Sequence, residues 1–350
     1  MDKNEEKKRA EQKEEQLKNM IKEIGDNFEV QPELIAEAVA FGSQFYQYSL
    51  KNTMLIYQQN KYSQYVQSFQ KWKEMGVSVK RGEHGMSIFV PVQTTYLKVG
   101  EDEFVQLRYA TKEQKEALKK GELESVSRTH FRIGTVFDIS QTTFPKERYP
   151  ELFQMGYANE QYSTLVKGLV KFCEQEMDCP VRIEDVKSIG LRGFYTPSTH
   201  EITLNNLLED SERLSTLSHE MGHAMVHQDP IARMKSEAMR EFEADALSIM
   251  LQSHFNVELT ESRKRHLAHH YQELKGKEPE TKINDCLNDV FQVYKSNIDS
   301  IDQHINACIE KEKEMNIDVE KEVQMDSLHE MLEKTAQQRK TNTISQDRER

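Results

Sequence analysis

His219-Glu220-Met221-Gly222-His223 is the stretch of this 350-residue chain whose residue types and spacing dictate a chemistry. A helix rises about 1.5 Å per residue with about 3.6 residues per turn, so side chains four apart share a face roughly 6 Å apart. Two imidazoles placed that way converge on one metal ion, and Glu220 between them points toward its open coordination position. Zinc there would acidify a bound water, and Glu220 would take the proton. Leu214, Leu217, Met221, Met225 and Val226 recur at helical spacing around the motif, so the predicted element is a buried helix.

Such a centre needs a third protein ligand, and its imidazoles need acceptors that fix their tautomers. Glu241-Phe242-Glu243-Ala244-Asp245, inside a second helix predicted over residues 236–254, supplies both. Glu241 and Asp245 are four apart and face the same way, Glu241 as ligand and Asp245 as outer acceptor. Asp229, ten residues after His219, is a rival ligand. Metal motifs with a ligand at that position turn the chain with a glycine at their eighth residue, which here is Val226, and Asp229 precedes Pro230, read as a helix stop. Glu241 is therefore preferred. His227 continues the imidazole stripe about 12 Å from His219 along the helix axis, which makes it a rim or packing residue. His266, His269 and His270 lie in a basic amphipathic stretch and read as a solvated face.

The elements that must carry these side chains follow from composition and periodicity. With 37% hydrophobic and 30% charged residues, the chain has room for about two domains and keeps large parts solvated. A net charge of −12 argues against uniform coating of nucleic acid but leaves local patches open. There is no run of about 18 apolar residues and no apolar core to a leader at the Lys/Glu-rich start, so a cytoplasmic location without a membrane partner is expected. Cys173, Cys179, Cys286 and Cys308 lack paired metal-ligand spacing and are expected as free thiols.

Residues 1–29 read as a charged helical or disordered segment. Helical periodicity covers 31–59 with a break at Gly42, and a short helix over 69–75 ends at Gly76. Strands are predicted at 77–79, at 86–92 closed by Pro91, in a hairpin of 96–99 with 104–109, and at 133–139. A second unit begins near Tyr149, with a helix over 162–177, strands at 181–184 and 201–204, and then the two metal-site helices. Further helices are expected at 261–274, 283–313 and 320–334. The expected class is α+β: a mixed α/β domain over 30–148, a mostly helical domain with a small sheet over 149–275, a helical extension over 276–338 and a disordered tail over 339–350.

Between Phe45 and Lys98 seven Lys or Arg face only two Glu, interleaved with Phe45, Tyr46, Tyr48, Tyr57, Tyr62, Tyr65, Phe69, Trp72 and Phe89. Cations track a phosphate backbone while rings stack on unpaired bases, the combination used for single strands. Tyr48-Ser49-Leu50-Lys51-Asn52-Thr53-Met54-Leu55-Ile56, Phe69-Gln70-Lys71-Trp72-Lys73-Glu74-Met75-Gly76, Val79-Lys80-Arg81-Gly82-Glu83-His84-Gly85-Met86-Ser87-Ile88 and Phe137-Asp138-Ile139-Ser140-Gln141-Thr142 resemble the N-terminal domain of ArdC-type antirestriction proteins. The HEMGH and EFEAD segments are similar to zincin peptidases of the ImmA/IrrE type. Together the likeness covers residues 30–275 and runs closest to LtrC-like proteins of plasmids and conjugative elements.

That resemblance implies a single-stranded-DNA-binding domain followed by a zincin-like metallopeptidase domain. His219, His223 and Glu241 would hold one Zn2+, Glu220 would be the catalytic carboxylate, and Asp245 would match the acidic residue closing the pattern. Lys51, Lys71, Trp72, Lys80 and Arg81 are the candidate DNA contacts. The strand at 201–204 would align an extended protein or peptide substrate, with Tyr195 and His200 as candidate oxyanion stabilisers. Two other readings stay open: a non-enzymatic DNA-binding antirestriction protein with a structural zinc, and an ImmA-like regulatory protease that cuts a repressor.

Overall fold

The computed structural model describes residues 3–151, 162–188 and 190–346. In chain order it contains α1 (Lys3–Val30), α2 (Glu33–Gln44), α3 (Leu50–Gln59), β1 (Val66–Ser68), α4 (Phe69–Glu74), β2 (Met86–Lys98), β3 (Phe104–Gln106), α5 (Lys112–Lys120) and β4 (Ser125–Asp138). There follow α6 (Tyr162–Glu176), β5 (Val181–Glu184), β6 (Gly193–Thr196), β7 (Glu201–Asn205), α7 (Asp210–Val226), α8 (Pro230–Arg233), α9 (Glu237–His254), α10 (Glu261–Lys277) and α11 (Ile283–Gln346). The class is α+β. Two compact units emerge, Met1–Asn159 with Met225–Lys295, and Glu160–Ala224 with Ser296–Arg350. Residues 152–161, on which a boundary near Tyr149 depends, lie outside the described residues, as do 347–350 of the expected tail.

The first unit is built on an antiparallel sheet of order β1-β4-β2-β3, dominated by the long β2–β4 pair that runs from Met86↔Val136 to Leu97↔Ser125. Phe41, Phe45 and Ile56 bury against Val66, Met86, Ile88 and Val136, while Leu17 and Leu55 bury against Phe89. The expected charged segment is therefore a helix with an apolar stripe: Leu17, Ile24 and Phe28 of α1 are buried. Helices α9 and α10 pack on α2 in the same unit.

One local device explains how α3 sits on the sheet. Asn52 donates to the Phe89 carbonyl at 2.8 Å and accepts from the Phe89 amide at 2.9 Å. Gln59 repeats this at Ser87, donating at 2.9 Å and accepting at 2.8 Å. Asn52 and Gln59 are two helical turns apart on one face of α3, and Ser87 and Phe89 are two apart along one edge of β2. The side chains thus do what a neighbouring strand would do, and they cover an edge that β3 reaches only from Tyr96 onward.

The same register explains why β2 runs through Pro91 instead of closing there. Backbone N–H groups alternate edges along an antiparallel strand, so Pro91 lacks its donor on the side of Phe89, away from β4. Two other expectations differ. The break in the first helical stretch falls at residues 45–49, because Gly42 stays inside α2, where a Cβ would come within 2.3 Å of the Phe291 ring. Helix α11 is continuous from Ile283 to Gln346, so its backbone stays helical across the gap expected at 314–319 and through most of the expected tail.

The second unit holds a three-stranded sheet of order β5-β7-β6, with β5 parallel and β6 antiparallel to β7. Strand β6 was not expected. It lies against α7 at a glycine: a Cβ on Gly193 would meet the Thr216 methyl and the Thr203 carbonyl at 2.8 Å. A similar close approach brings Gly168 of α6 onto Ile305 of α11.

Candidate metal centre

Helix α7 places its chemistry on one stripe and its anchors on another. Leu217, Met221 and Ala224 are fully buried, while His219 and His223 are partly open. Their Nε2 atoms are 3.2 Å apart, with the rings nearly perpendicular at 82°. Glu220 is buried beside them. His219, His223 and Glu241 each offer one donor atom, and these atoms lie within 4.8 Å of one another. Two imidazole nitrogens and a carboxylate oxygen form the donor set of a borderline divalent cation, with a fourth position left for solvent or substrate.

Asp229 has another task. Its Oδ1 accepts from the Ile231 amide at 2.6 Å and caps α8, so Pro230 opens a short helix instead of ending one. His227 is not a rim residue. It is buried, and its Nε2 stands 2.9 Å from Glu243, whose carboxylate is only 1% exposed. Lys235 completes the network, donating to Glu243 at 2.7 Å and to Asp289 at 2.8 Å. Burial pulls the Lys235 ammonium down, but its bonds to Asp289 and Glu243 outweigh that and raise it above its ordinary value. Glu243 is two residues from Glu241 and so points to nearly the opposite side of α9. Helical phase was the signal available for separating the packing carboxylate from the metal-facing one.

Asp245 is held from α10. His266 Nδ1 lies 2.6 Å, and His270 Nε2 3.4 Å, from its Oδ2. The expected solvated face of three histidines is thus corrected for His270, only 14% exposed. His266 and His269 both stay exposed, at 62% and 67%, and His269 lies 3.9 Å from Glu273.

Tyr195 and His200 are bonded to each other across β6 and the turn before β7, the hydroxyl 2.8 Å from Nδ1. The other ring nitrogen, Nε2, faces the Met177 carbonyl at 3.0 Å and so carries the proton. The Tyr195 hydroxyl therefore donates to His200, which commits its proton. The expected substrate strand is also corrected: β7 is central and paired on both sides, whereas β5 and β6 are the edge strands.

The basic and aromatic residues of the first unit separate into core and surface. Trp72, expected to touch DNA, is fully buried and donates through Nε1 to the Phe137 carbonyl at 2.9 Å, so it cannot stack on a base without opening the fold. Lys51 sits 4.9 Å over the Phe89 ring, Lys71 is 3.6 Å from Glu74, Lys80 donates to the Ser140 carbonyl, and Arg81 is exposed. Rings that do face solvent are Tyr62 at 79%, Tyr109 at 69%, Phe131 at 63% and Phe69 at 56% exposure. The outer half of the β2–β4 ribbon was missed. It carries exposed Arg128, His130 and Arg132, and neither strand has a carboxylate until Asp138. A strand of alternating basic residues with no acid was the signal.

Geometry thus defines an α+β chain that couples a helix-braced antiparallel sheet with a helix-borne HExxH donor set. Residues 3–137 match the N-terminal domain of the anti-restriction factor ArdC, and residues 174–292 match the IrrE N-terminal-like domain of the peptidase M78 family. Along the chain, the match to an ArdC N-terminal domain is thus followed by a match to an IrrE-like domain. It is 28% identical over 327 residues to an uncharacterized protein of Bacillus anthracis, covering 86% of this chain and 54% of that one, so it spans about half the length of that relative. Among solved structures, the metal-free antirestriction ArdC protein from plasmid R388 overlaps with a TM-score of 0.44 at 16% identity, covering 74% of this chain and 86% of that chain. Its Mn(II)-bound structure gives 0.41 at 16% identity, covering 74% and 85%. Among the described residues no helix is long and apolar enough to cross a membrane.

Proposed function

We propose that this chain is a single-stranded-DNA-binding, metal-dependent peptidase of a mobile genetic element, acting in the cytoplasm to protect incoming DNA. The observation that carries the hydrolytic part is the convergence of His219, His223 and Glu241 donor atoms within 4.8 Å, with Glu220 beside them in the helix. These three residues would hold one Zn2+, which when bound supplies a Lewis acid for the scissile carbonyl and lowers the pKa of water. Glu220 would accept the water proton and return it to the leaving amine. The open edge of β6 would align an extended peptide through its backbone. Tyr195, with its proton committed to His200, would position that strand through His200.

The DNA part is supported by the match to the ArdC N-terminal domain and by the carboxylate-free ribbon around Arg128, His130 and Arg132. Lys51, Lys71, Lys80 and Arg81 would add to the phosphate-attracting surface, with Tyr62 and Phe131 as stacking rings. Tethering to a strand would raise the local concentration of protein substrates on that strand.

The decisive experiment is Glu220→Gln, assayed for metal content, strand binding and cleavage of a DNA-associated protein substrate. The expected variant keeps metal and DNA but loses cleavage; equal cleavage by wild type and variant refutes the assignment of the base.

A further inference from the structure

Contacts between α9 and α10 assemble a second donor set that the hydrolytic reading does not use. Asp245, His266 and His270 each offer one donor atom, and these atoms lie within 4.8 Å of one another. His266 Nδ1 and His270 Nε2 both address the same carboxylate oxygen, at 2.6 and 3.4 Å, with ring centroids 4.7 Å apart. The two imidazoles are four residues apart on one helix, the spacing that lets a pair converge on one ion, and the carboxylate comes from the neighbouring helix.

An ion pair alone accounts poorly for this arrangement. One imidazole satisfies Asp245, yet a second is brought to the same oxygen at the cost of removing it from water, its side chain only 14% exposed. The far nitrogen of that ring, Nδ1, is sealed from solvent without a hydrogen bond, and the nearest carboxylate is Glu273 Oε2 at 3.7 Å. A cation accepted by Nε2 would fix the proton on Nδ1, facing Glu273. That is the carboxylate–histidine–metal relay in which an outer carboxylate orients a ligand ring.

We propose that Asp245, His266 and His270 form a second divalent-cation site, with Glu273 as the outer carboxylate that orients His270. Its two-nitrogen, one-oxygen set selects zinc, cobalt or nickel over magnesium or calcium. His266 is 62% exposed, which leaves an entry path and an open coordination position. This assignment stands without the peptidase reading, and it makes Asp245 a ligand in its own right.

The test is calorimetric titration of the chelator-stripped full chain with Zn2+, repeated with Co2+ and read by its visible absorption. Wild type is expected to take two ions. His266→Ala/His270→Ala is expected to take one, and so is His219→Ala/His223→Ala, the missing ion being a different one with a different cobalt spectrum. Because His270 is partly buried, His266→Ala alone serves as the exposed-site control. It should weaken one of the two affinities by at least about tenfold and leave the other unchanged. A single ion in wild type that persists in His266→Ala/His270→Ala, or unchanged stoichiometry and affinity in both His266 variants, overturns the second site. Two ions retained by His219→Ala/His223→Ala would sink only the HExxH centre.

Discussion

If Asn52 stands in for a missing strand, Asn52→Leu should unfasten α3 from β2. Leucine has the same branched skeleton of heavy atoms but neither donor nor acceptor, so the amide and carbonyl of Phe89, bonded at 2.9 and 2.8 Å, both lose their partner. Asn52 and Phe89 are buried, so water does not readily replace the missing bonds. Each orphaned backbone group costs about 1–3 kcal/mol, so the variant should lose about 2–6 kcal/mol. That is a large part of the stability of a typical domain, about 5–15 kcal/mol. The chain has a single tryptophan, Trp72, fully buried in the same unit. Urea unfolding followed by its fluorescence therefore reports this unit alone. Gln59→Leu removes the equivalent pair at Ser87, but Gln59 is partly exposed and hydration should hold its cost to less than half. An Asn52→Leu midpoint equal to wild type, or a Gln59→Leu loss as large, would refute the strand-substitute argument.

Other outcomes follow from the same geometry. Lys235→Met leaves Glu243, 1% exposed, without its cation, and should cost about 3–5 kcal/mol in chemical denaturation. Burial pushes the Cys286 thiol up to about 12 and Cys179 to about 11, and raises Cys173 as well, so alkylation at neutral pH should be slow natively and fast in urea. Glu312 is held below its ordinary value first by its bond from Lys167 and then by Thr164. A depressed carboxylate stabilises above its unfolded pKa and loses that contribution as pH falls through the folded one. Glu312→Gln should therefore flatten acid destabilisation below about pH 4.5, by a small amount because solvent screens a side chain 35% exposed. Arg128→Ala with Arg132→Ala should weaken single-strand binding and reduce its salt slope by about 0.7 for each phosphate no longer neutralised. An unchanged slope would remove the ribbon from the interface.

Much of the candidate centre was legible because its information is local. A buried helix at 210–226 follows from apolar spacing around the motif, and a four-residue offset is enough to bring His219 to His223 or to align Glu241 with Asp245. Helical phase alone sets Glu243 apart from its neighbours. The antiparallel hairpin after Tyr96 and the short helix ended by Gly76 were equally readable, since turn residues act on their own backbone.

What lay beyond the sequence was the identity of each partner. Periodicity records that a face is apolar or charged, but not which distant element will meet it. Trp72 stood among the candidate DNA contacts until Phe137, 65 residues later, took its N–H and the core closed over it. His270 looked solvated until α10 packed on α9 and turned it to Asp245. Strand 201–204 looked like a substrate edge until β6 and β5 covered both its sides. A side chain's chemistry is written in its type and its phase. Its burial and its partner are set only when separate elements pack, because desolvation and hydrogen bonding depend on neighbours that the chain brings from far away.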